Sequence, residues 1–117
     1  MKLNDLNLHD SQILKVIEDS NNNTLDFILD YPINYEENIF EKRNLRFYDF
    51  LNYKINEIPF EGTPTILEIK TLNLIKYNIG DKENKIEITR NFVELSTNSG
   101  TRTIEFRDID LFKIEKL

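Results

Sequence analysis

The chain has 117 residues and no cysteine, so it is the size of one ordinary domain and offers neither a disulfide framework nor a thiolate zinc site. A net charge of −6 and a pI near 4.8 disfavour nucleic acid and suit a basic protein partner. Alanine is absent, whereas isoleucine and the 11% of aromatic residues favour pleated surfaces and argue against disorder.

Leu3, Leu6 and Leu8 beat irregularly against polar residues, as in an extended arm or short turn. Leu8-His9-Asp10-Ser11 then precedes a first strand from Gln12 to Asp19. Ser20-Asn21-Asn22-Asn23 reads as a turn, because asparagine accepts left-handed backbone angles. A second strand, Thr24 to Tyr31, puts Leu25, Phe27, Leu29 and Tyr31 on one face, completing a hairpin. Pro32 is expected to stop it or confine it to an edge. Residues 35–42 are ambiguous, with a possible helical turn through Glu36 to Phe40. Leu45, Phe47, Leu51, Tyr53 and Ile55 then share a parity, which predicts one strand over 44–56 bent near Asp49-Phe50.

Pro59 to Pro64 is a turn-rich loop. Over 65–79, Leu67 and Ile69 share one parity and Leu72 and Leu74 the other, which favours a strand with a bulge near Lys70-Thr71 over a helix. Gly80 to Glu83 turns the chain into three strands folding back on one another, 85–89, 92–97 and 101–107, the last two joined by Asn98-Ser99-Gly100. A corner at Arg107-Asp108 leads to a final strand, 109–116. The fold class expected is all-β, an antiparallel sandwich or partly closed barrel of about six to eight strands in a single domain over 1–117. Lys85, Lys113 and Lys116 are the expected edge blockers. Neither a signal-peptide core nor a run approaching ~20 apolar residues is present, so a cytoplasmic protein with no membrane partner is expected.

Chemistry-bearing candidates are few. His9-Asp10-Ser11 holds the residue types of a hydrolase triad, but neighbours on an extended chain point to opposite faces. A structural role follows, with Asp10 and Ser11 satisfying backbone N–H groups ahead of the first strand. Any metal site would be mostly carboxylate, drawing on Asp5, Asp10, Asp26 and Asp30, yet Asp26 and Asp30 fit a solvated strand face better, so no metal is expected. Gly62, Gly80 and Gly100 are isolated, so no phosphate loop is present and no cofactor is expected. Lys42, Arg43 and Arg46 stand beside Glu36, Glu37 and Glu41, a mixed-charge face rather than a phosphate site. Aromatics crowd the middle third, with Phe47 and Tyr53 on one parity and Tyr48 and Phe50 on the other. A strand aromatic on both faces lies between two layers or offers one to a partner.

Leu8-His9-Asp10-Ser11 leading into Ile13-Leu14-Lys15-Val16, then the hairpin to Thr24-Leu25-Asp26-Phe27, resembles the opening of small bacterial β-rich proteins. Some of these belong to families of polymorphic-toxin immunity proteins. Asn44-Leu45-Arg46-Phe47-Tyr48-Asp49 adds to the likeness, which covers mostly residues 8–50. The resemblance implies a non-enzymatic protein that blocks a toxin by occupying its active site or an adjacent surface, and it carries no catalytic residues. Such a protein, monomer or homodimer, would present carboxylates and aromatics to a basic toxin domain, with Tyr35, Glu36, Glu37, Tyr48 and Tyr53 as the candidate contacts. The alternative is a small-ligand-binding or hydrolase-like domain using a pocket near His9 and Asp10.

Overall fold

The computed structural model describes residues 3–34, 36–59 and 62–115. Among them, a 3-10 turn at Leu3–Asp5 precedes eight strands: β1 (Gln12–Asp19), β2 (Thr24–Asn34), β3 (Ile39–Tyr48), β4 (Leu51–Glu57), β5 (Ile66–Ile79), β6 (Ile86–Thr97), β7 (Gly100–Phe106) and β8 (Asp108–Lys113). They form two four-stranded antiparallel sheets, ordered β1-β2-β3-β8 and β4-β7-β6-β5. The expected all-β sandwich is therefore present, and it is not closed into a barrel. One side is laced up by a Gln12–Thr65 bridge and by Ile66 N–H donating to the Ser11 carbonyl. No helix among the described residues is long and apolar enough to cross a membrane.

The first hairpin follows its local chemistry. The Asp19 carboxylate accepts the N–H groups of Asn21 and Asn22, and Asn23 takes φ 54°, so the turn is built by its own side chains. β2 departs from expectation by running through Pro32 to Asn34. Pairing with β1 reaches only Asp30, and the β3 register shifts between Pro32 and Asn34, so the proline sits where the ladder is already interrupted. The proposed helical turn at 36–40 is instead a plain turn over Glu36 to Asn38, with β3 beginning at Ile39.

The single bent strand expected over 44–56 is two strands in different sheets. Asp49 at φ 51° and Asn52 at φ 52° redirect the chain across the sandwich, which their short polar side chains tolerate. β5 is the bulged strand expected, with register shifts between Ile66 and Glu68 and between Thr71 and Asn73. The break expected between 89 and 92 does not occur, because β6 runs unbroken from Ile86 to Thr97 alongside β5. Arg90 donates to the Glu105 carboxylate and the Asn91 side chain to the Arg107 carbonyl, which accommodates both polar residues without a turn. β8 leaves the sheet of β6 and β7 and pairs with β3. Of the expected edge blockers, Lys113 lies on edge strand β8, Lys85 stands just before the inner strand β6, and Lys116 falls outside the described residues.

The core lies between the sheets. Leu25, Phe27, Leu29, Leu45, Phe47 and Ile109 face Ile66, Val93, Leu95, Ile104 and Phe106, all at 4% exposure or less. Phe47 packs edge-on to Phe27 at 5.6 Å and to Phe106 at 4.9 Å between ring centres. A buried ion pair closes the β4 side: Arg102 donates to both Glu57 oxygens at 2.8 and 2.9 Å and to the Tyr53 hydroxyl at 3.0 Å.

Candidate protein-binding face

Among the described residues no second layer covers the outward face of β1-β2-β3-β8, and strand register arranges it in rows. Asp19, Thr24, Tyr48 and Asp108 form the first row, and Ile17, Asp26, Arg46 and Asp110 the second. The third holds Lys15, Ile28, Asn44 and Phe112, followed by Asp30 beside Lys42. Alternation produces these rows. In β3, Leu45 and Phe47 point into the core, so Asn44, Arg46 and Tyr48 point outward.

Arg46 is the hub. Its guanidinium donates to both Asp26 oxygens at 2.8 and 2.9 Å and lies over the Phe112 ring at 5.2 Å. Those bonds to the Asp26 carboxylate, opposed by partial burial, hold Arg46 still further above its ordinary pKa, so it stays charged at any working pH. Lys42 neutralises Asp30 at 3.1 Å. Asp19, Asp108 and Asp110 are then the surplus acids, and they surround half-buried Tyr48. Bonds from the Asn22 side chain and backbone lower the Asp19 pKa, so that carboxylate is ionised near neutrality. In the middle of the face, Asn44 is 5% exposed and its side-chain oxygen has no hydrogen-bond partner. An aromatic set among carboxylates, with an unspent acceptor beneath, suits a basic polypeptide surface.

Of the candidate contacts, Tyr48 alone lies on this face. Glu36 and Glu37 are exposed in the β2–β3 turn, at the opposite end of β3 and about 30 Å away at the usual strand rise. Tyr53 packs inward, its ring edge-on to Phe27 at 5.8 Å, and burial raises its phenol pKa. Tyr35 lies outside the described residues. Arg46, Asp26, Asp108, Asp110 and Phe112 were missed, although the even positions of β3 and the β2–β3 register would have pointed to the first two.

His9-Asp10-Ser11 does not assemble a triad. His9 Nδ1 pairs with the Asp10 carboxylate at 2.9 Å on the surface, whereas Ser11 is fully buried with an unpartnered hydroxyl. The serine side chain therefore does not satisfy a backbone N–H as expected. The main chain does that work, with Asp10 N–H donating to Ile66 and Ser11 N–H to Leu8. A cleft of about 390 Å³ between the N-terminal turn and β5 is lined by Leu3, Leu6, Ile69, Lys70 and Thr71, without His9 or Asp10. No cluster of three or more metal-ligating side chains occurs among the described residues. No protein family, characterised protein or solved structure matches the chain.

Proposed function

We propose that this domain is a non-enzymatic protein-binding module of the immunity type. It neutralises a bacterial toxin by laying the open face of β1-β2-β3-β8 on a basic surface of the toxin. The observation that carries this reading is the first row, in which half-buried Tyr48 stands beside Asp108 and is separated from Asp19 by Thr24 of β2. The rows of this face carry the carboxylates of Asp19, Asp26, Asp30, Asp108 and Asp110 against the cations of Lys15, Lys42 and Arg46, in a chain whose net charge is −6. Such a field speeds encounter with a cationic partner, and Tyr48 supplies the apolar centre that holds it.

The test is to mix the purified protein with toxin domains encoded beside its gene and measure binding and protection. Wild type should bind one of them, and Asp108→Lys with Asp110→Lys should weaken that complex at least tenfold, more at low salt, with an unchanged circular dichroism spectrum. Uniform failure of the wild type to bind or protect would end the immunity reading. Equal binding by the charge-reversed variant would end the assignment of this face.

A further inference from the structure

β5 and β6 run well past their neighbour. β7 ends at Phe106, opposite Asn91, so Ile75 to Ile79 and Ile86 to Arg90 pair only with each other. The longest molecular dimension is 59 Å, against 32 and 27 Å for the others. On one face of this two-stranded ribbon Ile79 lies directly opposite Ile86, and Tyr77 directly opposite Ile88. These four are 52%, 59%, 38% and 38% exposed, whereas exposed Leu74 points to the other face. A lone two-stranded hairpin is marginal in water, and one faced with isoleucine needs a covering layer.

The ribbon is nonetheless anchored. The Tyr77 hydroxyl reaches both oxygens of Glu105 on β7, at 2.9 and 3.1 Å, and Arg90 Nε donates to the same carboxylate at 2.8 Å. Arg90 also donates to the Asp49 carbonyl and Asn52 to Glu105. Glu105 is only 1% exposed although it points away from the core, because these side chains roof it over. The apolar face is thus presented in a fixed pose, which lowers the ordering cost of binding.

Charge decides what covers it. From Leu72 to Asn91 four basic residues meet three acidic ones, in a chain whose total is −6. Lys76 and Glu87 moreover pair with each other at 3.6 Å. A second copy, repelled by the acidic body, meets no such repulsion here, and a cationic partner finds no net attraction.

We infer that the ribbons of two copies pack face to face about a two-fold axis. Ile79, Ile86, Tyr77 and Ile88 of each then form a small two-layer core with sheets about 10 Å apart. This dimer is independent of the toxin-facing surface. Light scattering and sedimentation of the full chain across a wide concentration range test it, with Ile86→Asp on the ribbon and Ile33→Asp, comparably exposed on β2, as control. Wild type and Ile33→Asp should be dimers. Ile86→Asp, which enters the symmetric contact twice, should raise the dimer Kd about a hundredfold with an unchanged circular dichroism spectrum. A wild type that stays monomeric near 1 mM, including one whose ribbon captures an unrelated protein instead, overturns the inference. So does an Ile86→Asp variant that dimerises like wild type. Asp108→Lys with Asp110→Lys should still dimerise, which separates this result from failure of the toxin-binding reading.

Discussion

Replacing Glu57 by glutamine removes the carboxylate that hydrogen-bonds to the Arg102 guanidinium in the interior. The two side chains are 10% and 9% exposed, and both guanidinium bonds are short, at 2.8 and 2.9 Å. After the change, Arg102 keeps the Tyr53 hydroxyl and the Phe27 ring at 5.9 Å, neither of which carries a compensating charge. Leaving one member of a buried pair uncompensated costs about 3–5 kcal/mol, and the residual solvent access places this case near 3. Glu57 also accepts the Thr97 hydroxyl at 2.9 Å, so it ties edge strand β4 to β6 as well as to β7. At about 4 °C per kcal/mol for a domain of this size, the melting temperature should fall by roughly 12 °C. Urea unfolding measures the free energy directly. The paired change Glu57→Leu with Arg102→Met removes both charges and should recover most of the loss, since a buried pair contributes little beyond well-packed apolar residues. A loss below about 1 kcal/mol for Glu57→Gln, the worth of an exposed ion pair, would refute the burial argument. So would a double variant no better than the single one.

The same residue should shape the acid limb of stability. Burial raises the Glu57 pKa, but bonds from Arg102 and Thr97 outweigh it and hold the group below its ordinary 4.5. A depressed carboxylate contributes fully above its unfolded pKa and loses that contribution as pH falls through the folded value. Wild type should therefore keep its stability from pH 7 down to about 4.5 and lose it below, while its advantage over Glu57→Gln narrows, as urea midpoints across that range would register. Phe47→Ala removes a fully buried ring touching both Phe27 and Phe106 and should cost about 3–5 kcal/mol by urea unfolding. Gly100→Ala would set a Cβ 2.2 Å from the Asn56 carbonyl oxygen, so the end of β4 must detach, and hydrogen exchange at Ile58, whose N–H bonds to Ser99, should accelerate.

Residue pattern carried much of this fold because strands with one dry face announce themselves. Alternation in Leu25, Phe27 and Leu29 and the asparagine turn before them sufficed for the β1–β2 hairpin. Parity could not show that 44–56 changes sheets, because Leu45, Phe47 and Tyr53 face the same core from opposite sides. Tyr48 was legible as an outward aromatic from the opposite parity of Phe47, whereas its acidic neighbours come from β1 and β8, distant in sequence. The ribbon shows the deeper limit. Ile75, Tyr77 and Ile79, or Ile86 and Ile88, alternate as core residues do, and nothing within those segments separates a buried face from a docking face. What separates them is parity along β6, where Ile86 and Ile88 fall with Arg90 and Glu94 and not with the core residues Val93 and Leu95, so they stand on the outer side of the sheet. Among the described residues no layer stands over that outer side, which is why its isoleucines point to a docking face and not to a core.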